Sequence, residues 1–344
     1  MDEQNLDDPL PKGALRVGIV YNLKSGKHSD IPDEEAEYDS IDTVYAIQKA
    51  LESKGHEVEL LEADEELPNR LRERNIDIAF NIAEGRGGRG REAQIPALLN
   101  FYGIPFTGSD ETTLCIALDK GLTKKLLMTD GILTPNYVVV TNENIQEARK
   151  LNCPVIVKPN AEGSSKGISD VSIANTEHEL MEILKRNLAM YGGTMLAEEY
   201  IEGREFTVGV LGNGDNAKVF PPMEIEYRKA TQDNYHVYSY NVKQNYKEYV
   251  NYSCPAKLTS AEESEMMEVT AKIFRLLSCR DFSRVDFRMT KDGRIYFIEI
   301  NPLPGLAPNY SDYPMLAEFS GTAYVDLVNG ILDAAIVRLG LKKR

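Results

Sequence analysis

Histidine and cysteine are scarce, with four of each in 344 residues. The histidines stand alone, with no HxxxH or similar spacing. The cysteines (Cys115, Cys153, Cys254, Cys279) are scattered without a CxxC pair. That argues against a zinc centre and a disulfide framework, and reads the thiols as small buried hydrophobes in a reducing cytosol. Metal chemistry in such a chain has to be carboxylate chemistry. No apolar run approaches the ~18 residues of a membrane helix, and the acidic start MDEQNLDDPLPKG is unlike a signal peptide. A net charge of −15 argues against a nucleic-acid surface and against anionic membranes. There is no internal repeat and no low-complexity tract. What remains is ordinary for a soluble, cytoplasmic protein of two or three domains: 42% hydrophobic and 27% charged residues.

Periodicity lays out three regions. LRVGIVY (15–21) reads as a buried strand, and SIDTVYAIQKALESKG (40–55) as an amphipathic helix closed by Gly55. EVELLEA and IDIAFNIAE are further strands, and REAQIPALLNFYG is a second helix ending at Gly103. Strands alternating with helices predict an α/β fold that opens with a doubly wound parallel-sheet domain over 1–117. Over 118–200 comes a smaller α/β unit: helix DKGLTKKLLMTDG, strand NYVVV, a helix, strand PVIVKP, then GISDVSIA, a helix and GGTMLAEEYI. Residues 201–344 read as a mostly antiparallel sheet with helices at 260–277 and 323–339. The stretch 228–252 breaks periodicity and holds Tyr235, Tyr238, Tyr240, Tyr246, Tyr249 and Tyr252. It is too long for an ordinary connection, which predicts a mobile loop or lid, the plainer alternative being an irregular sheet edge.

RVDFRMTKDGRIYFIEINPLPG (284–305) carries the first chemical signal. Asp292-Gly293 is a strong two-residue hairpin turn. Counting outward from it, Asp286 faces Glu299 and Arg284 faces Asn301, while Val285 with Ile300 and Phe287 with Ile298 fill the other face. Opposed carboxylates with Cβ atoms ~4.5–5.5 Å apart repel unless a cation or a shared proton lies between them. Asp, Glu and an Asn amide form an all-oxygen set suited to Mg²⁺ or Mn²⁺, and Mg²⁺ usually accompanies phosphates. The bland reading is a solvent-facing sheet whose acids pair with Arg284 and Arg288.

Three glycine-rich stretches compete for a phosphate. SGKHS (25–29) fails as a P-loop, lacking the earlier glycine and a hydroxyl directly after Lys27. GRGGRG (85–90) matches GxGxxG, follows a strand, opens a helix and has Asp110 twenty residues on, so a nicotinamide oxidoreductase stays open. Arg86, Arg89 and Arg91 would nevertheless crowd that tight turn. VIVKPNAEGSSKGISDVSI (155–173) joins two strands instead. Gly163, Ser164, Ser165 and Gly167 make a flap whose N–H groups and hydroxyls could fold over phosphates, with Lys158 supplying charge.

With these residues the chain resembles the ATP-grasp superfamily, and within it the D-alanine–D-alanine ligases. PFTGSD…ALDKGLTKKLL, PVIVKPNAEGSSKGIS, AEEYIEGREFTVGVLGN, SCPAKL, SRVDF and EINPLPG fall in that family's order and approximate spacing. The resemblance implies three domains, with ATP held between the central and C-terminal ones. It implies an ADP-forming, ATP-dependent carboxylate–amine ligase that joins small amino-acid substrates through an acyl phosphate, with Mg²⁺ or Mn²⁺. It assigns Lys120 and Lys158 to ATP phosphates, Glu198, Tyr200 and Ile201 to the adenine hinge, and Glu205 to ribose. Ser164 and Ser165 belong to the phosphate flap, Ser164 also counting as catalytic. Lys243 falls on the phosphate-contacting lysine of the mobile loop, and Asp286, Glu299 and Asn301 on the magnesium ligands. Arg284 and the Gly305 N–H fall on the contacts that stabilise the tetrahedral oxyanion. A homodimer is among the expectations.

The chain also departs from the family. The amino-terminal Gly-Gly-x-Ser-x-Glu motif, whose Glu anchors the first substrate's ammonium, is replaced by NLKSGKHSDIPDEEAEYDS, with Glu35 and Glu37 as candidate substitutes. The loop tyrosine aligns with Gln244, although Tyr246 is close. The second-substrate Ser-Leu pair falls in NYSDY, nearest Tyr310 or Ser311, and the His-Gly-x-x-Gly segment is EGRGGRGRE. Arg86, Arg89 and Arg91 therefore border the expected first-substrate pocket, where they could fork onto carboxylates or be neutralised by Glu84 and Glu92. The rebuilt pocket predicts that plain D-alanine is a poor donor compared with a bulkier or more polar amino acid. A catalytically silent nucleotide-binding module is the remaining alternative.

Overall fold

The computed structural model describes residues 13–24, 38–162, 172–228, 235–237, 242–243 and 245–341. The first sheet has strands β1 (Arg16–Tyr21), β2 (Glu57–Glu62) and β3 (Ile78–Asn81), all parallel in the order β2-β1-β3. Alternate residues of β1 feed two different cores, as period two demands. Val17, Ile19 and Tyr21 join the core of helix α1 (Ile41–Glu52), whereas Val20 joins that of α2 (Leu67–Glu73) and α3 (Gln94–Tyr102). Helices on both faces make this sheet doubly wound. Gly103 ends α3 in a left-handed conformation, φ 67°, where a side chain would be strained.

Helices α4 (Glu111–Leu118) and α5 (Lys120–Thr129) lead to a second sheet. It holds β4 (Tyr137–Val140), β5 (Val155–Pro159), β6 (Ile173–Ala174) and β7 (Met195–Glu199), in the order β4-β7-β5-β6. Helix α6 (Glu177–Tyr191) covers it, with Leu180, Leu184 and Leu188 packed on Val155, Val157 and Ala197. The helix expected between NYVVV and PVIVKP is a 3₁₀ stretch, Ile145–Lys150.

The third sheet is antiparallel: β8 (Arg204–Leu211), β9 (Lys218–Val219), β10 (Met223–Tyr227), β11 (Val250–Ser253), β12 (Phe282–Met289) and β13 (Ile295–Asn301). Its order is β11-β10-β8-β12-β13, with β9 beside β8. Helices α7 (Ser260–Leu276), α8 (Asp312–Phe319) and α9 (Tyr324–Leu339) complete the described chain. A capping box between Thr259 and Glu262 starts α7. The terminal helix returns to the first sheet: Leu327, Val328 and Ile331 share the core of Val44, Ile47 and Leu51, and Asn329 Nδ2 donates to Ala50 O at 2.8 Å.

Two expectations change here. The C-terminal end of the 228–252 stretch is sheet, since Val250 pairs with Tyr227 and β11 forms an edge. The cysteines are free, but only Cys279 is buried, while Cys115 is exposed and Cys153 and Cys254 are half-buried. Among the described residues no helix is long and apolar enough to cross a membrane.

Candidate active site

The 284–305 hairpin keeps its central pairing by an unexpected route. The loop has three residues, Lys291-Asp292-Gly293, with Gly293 at φ 82° and the Thr290 N–H donating to Arg294 O at 3.0 Å. That shifts the register by one, so Phe287 faces Phe297 and not Ile298. A β-bulge between Asp286 and Phe287 then shifts it back, and Asp286 faces Glu299, Val285 faces Ile300 and Arg284 faces Asn301. The bulge also turns Ile298 to the same cleft that Glu299 lines.

That cleft, of about 240 Å³, lies between the second and third sheets and opens toward the first. Lys120, Lys158, Glu198, Tyr200, Ile201, Glu205, Lys243, Arg284, Asp286, Glu299, Asn301 and Gly305 all line it. Ser164 and Ser165 of the flap, with Gly163 and Gly167, lie outside the described residues, as do SGKHS, Glu35, Glu37 and Gln244.

Lys120, Lys158, Glu198, Glu205, Arg284, Asp286 and Glu299 each stand beside an opposite charge. Lys120 follows the N-cap Asp119, reaches the Glu162 carbonyl, and lies 3.7 Å from Glu299. Lys158, 3% exposed, meets Glu198 at 2.6 Å. Glu198 also meets the fully buried Lys124 at 3.0 Å. Burial alone would raise the Glu198 carboxyl, but Lys124 and Lys158 outweigh it and bring it down to about 2. Beyond them Arg288 holds Glu205 at 2.6 Å, lies over the Tyr200 ring and donates to Ile201 O at 3.0 Å, while the Tyr227 hydroxyl donates to Glu205 at 2.8 Å. The sequence pattern offers Arg288 only as a partner for the acids. Its place two residues beyond Asp286 on one strand face was the available signal that it reaches the cleft.

Arg284 stands between two carboxylates, 2.9 Å from Asp286 and 3.3 Å from Asp312. Both acids hold its guanidinium against the cost of burial and raise its pKa. Desolvation raises the Asp286 carboxyl. It would raise Glu299 too, but Lys120, Lys158 and Arg284 more than offset it and lower that carboxyl. Asn301 Nδ2 donates to Asp286 at 3.3 Å, and half a turn of the amide presents its oxygen instead. Among the described residues no three His, Cys, Asp or Glu side chains gather to hold a metal. The donors here are two opposed carboxylates and one amide, a hard oxygen set that fits Mg²⁺ or Mn²⁺.

At the other end Lys24, Asp39, Ser40, Thr43, Ile82, Glu84 and Glu92 line the cleft. Burial raises Asp39 to about 7 against the pull of Lys24 and Lys243. The three loop arginines do not line this end. Arg86 pairs with Glu65 at 3.2 Å, Arg89 with Asp119 at 2.6 Å, and the buried Arg91 with Glu162 at 3.5 Å and the Ala161 carbonyl. Arg86 and Arg89 thus pair with acids other than Glu84 and Glu92, which line the cleft themselves. GRGGRG is not an open phosphate cradle either: a Cβ on Gly85 would lie 2.0 Å from Arg91 O, and Gln94 binds the Arg86 N–H and the Gly87 carbonyl. Tyr246 donates to Asn309 O at 3.0 Å and packs on Tyr252 and Tyr310. At the cleft mouth Ser311 crowds Gly305, leaving 2.9 Å to an added Cβ.

Three sheets in this arrangement, closing on a lysine- and carboxylate-lined cleft, define an ATP-grasp fold, the fold of an ATP-dependent ligase that forms an amide bond. The model of the D-ala D-ala ligase C-terminus family matches residues 126–333. An uncharacterized protein y4sG from Sinorhizobium fredii is 32% identical over 84% of this chain and 86% of its own length. A D-alanine–D-alanine ligase from Aquifex aeolicus is 33% identical over 85% of this chain and 94% of its own. The crystal structure of a D-alanine–D-alanine ligase from Bacillus anthracis complexed with ATP superposes with a TM-score of 0.74, at 24% identity, over 95% of this chain and 98% of that one. The chain belongs to the D-alanine–D-alanine ligase family, and it uses ATP. Neither the oxidoreductase reading nor that of a silent module finds support.

Proposed function

We propose that this protein joins a polar amino-acid donor to a second amino acid, activating the donor carboxylate as an acyl phosphate at the expense of ATP. The observation that carries this reading is the gathering of Lys120, Lys158, Lys243, Arg284, Asp286, Glu299 and Asn301 on one cleft. Lys120, Lys158 and Lys243 are the cations for the phosphates, and Ser164 and Ser165 are the hydroxyls assigned to them. Glu198, Tyr200 and Ile201 supply the adenine hinge and Glu205 the ribose acid. Asp286, Glu299 and Asn301 would hold Mg²⁺ or Mn²⁺, which when bound neutralises charge on the transferring phosphate.

A carboxylate is a poor electrophile until it carries a good leaving group. Positive side chains around its oxygens lower the repulsion that a phosphate meets on approach. The second substrate's amine then attacks the acyl carbon, and Arg284 with the Gly305 N–H stabilises the resulting oxyanion. Water has to be kept out while the acyl phosphate exists, the role of the segment carrying Lys243. Donor polarity rests on Lys24, Asp39, Ser40, Glu84 and Glu92 at the far end of the cleft, which suit polar groups better than one methyl. We place the enzyme in the cytoplasm, with a homodimer as its expected assembly. A phosphate-release screen over paired D- and L-amino acids tests the reading. It should find a pair with higher kcat/KM than D-alanine with itself. D-alanine clearly best at both positions would overturn the rebuilt donor pocket.

A further inference from the structure

Lys124 lies one turn along α5 from Lys120, with 0% of its surface exposed. Its ammonium meets Glu198 Oε2 at 3.0 Å, donates to Thr134 Oγ1 at 3.0 Å and to the Phe297 carbonyl at 3.3 Å, and sits 5.3 Å from the Phe297 ring centre. The other Glu198 oxygen holds Lys158 at 2.6 Å. One buried carboxylate thus serves two buried ammoniums. Glu198, Glu299 and Glu205 together outweigh burial and raise the Lys158 ammonium, but Glu299 and Glu205 are the acids that metal and ribose would engage. A buried ammonium without a full counter-charge is costly, so the arrangement favours an arriving anion. Burial pulls the Lys124 ammonium down to about 8, the mark of that cost. Lys124 also joins facing elements of the cleft: Glu198 ends in the second sheet, and Phe297 is two residues from Glu299 on β13.

We propose that Lys124 is a positioning residue for ATP, sharing Glu198 so that Lys158 is held in place yet released to the phosphates, and fixing β13 relative to it. The inference rests on the reading of Lys158 as a phosphate cation.

Steady-state kinetics with ATP and the donor varied separately test it. Lys124→Met should raise the ATP KM roughly tenfold, the worth of one hydrogen bond to a charged group, with the donor KM within about twofold. Should Lys124→Met fail to fold, Thr134→Val removes one contact outside the cleft and should raise the ATP KM about threefold with the donor KM unchanged. Lys158→Ala tests the underlying reading by itself. An ATP KM unchanged in Lys158→Ala refutes the phosphate role of Lys158. A raised KM there, with the ATP KM unchanged in Lys124→Met, refutes the positioning role alone.

Discussion

Asp286 faces Glu299 across β12 and β13 although the turn between them is one residue longer than Asp292-Gly293 suggests, because the bulge at Ile298 cancels the extra residue. The two shifts together keep both carboxylates on the cleft side. A third consequence is that Phe287 and Phe297, both buried, seal the opposite face.

If those acids hold the metal, Glu299→Gln should leave the fold intact and cut metal-dependent turnover at least roughly 100-fold, the upper end of the loss caused by disturbing groups around a metal ligand. Thermal unfolding and a Mg²⁺ titration of activity check this. An unchanged Mg²⁺ dependence would remove Glu299 from the set.

The strand and helix pattern was legible because its periodicities are strong: β1, α1 and α3 lie where LRVGIVY, SIDTVYAIQKALESKG and REAQIPALLNFYG place them. The short helices were harder. Leu67–Glu73 and Asp312–Phe319 span too few turns for an apolar stripe to stand out. The bulge at Ile298 leaves no mark in alternation, because its effect is cancelled by the turn. At the site, the hairpin pairing singled out Asp286, Glu299 and Asn301 and the resemblance singled out Lys120, Lys158, Glu198, Glu205 and Lys243, and all of them line the cleft. Long-range ion pairs were not legible: nothing local shows that Arg89 will reach Asp119 or Arg91 will reach Glu162. The same holds for Lys124, whose role depends on a carboxylate far along the chain.

Asp281 joins the loop at Gly108, the turn at Asn213 and the terminal helix α9. Its fully buried carboxylate accepts from the Gly108 N–H at 2.8 Å, from Asn213 at 2.7 Å and from Arg338 at 2.7 Å and 3.0 Å. Arg338→Met strands that charge and should cost about 3–5 kcal/mol of stability, read from urea unfolding. A loss under about 1 kcal/mol would mean Gly108 and Asn213 suffice.

Acid should loosen the lysine–glutamate core. The Glu198 carboxyl is lowered from 4.5 to about 2, so its stabilisation is full above 4.5 and is lost as pH falls toward 2. Glu198→Gln should flatten the stability profile across that window. The same slope in both proteins would assign acid unfolding to other carboxylates.

The segment around Lys243 should close when the cleft fills. Val242 is already buried with Ile225 and Val250, and Tyr246 is pinned to Asn309. Hydrogen exchange over 228–252 should slow with ATP and a phosphinate analogue of the acyl phosphate. Equal exchange with and without them would make the segment a fixed sheet edge.

The acyl phosphate itself is open to direct measurement. With the best donor carrying ¹⁸O in its carboxylate, one labelled oxygen should pass to the released phosphate in each ligation, since the carboxylate oxygen attacks phosphorus and leaves with it. Amide product accompanied by unlabelled phosphate would contradict activation of the donor by ATP and, with it, the proposed chemistry of this cleft.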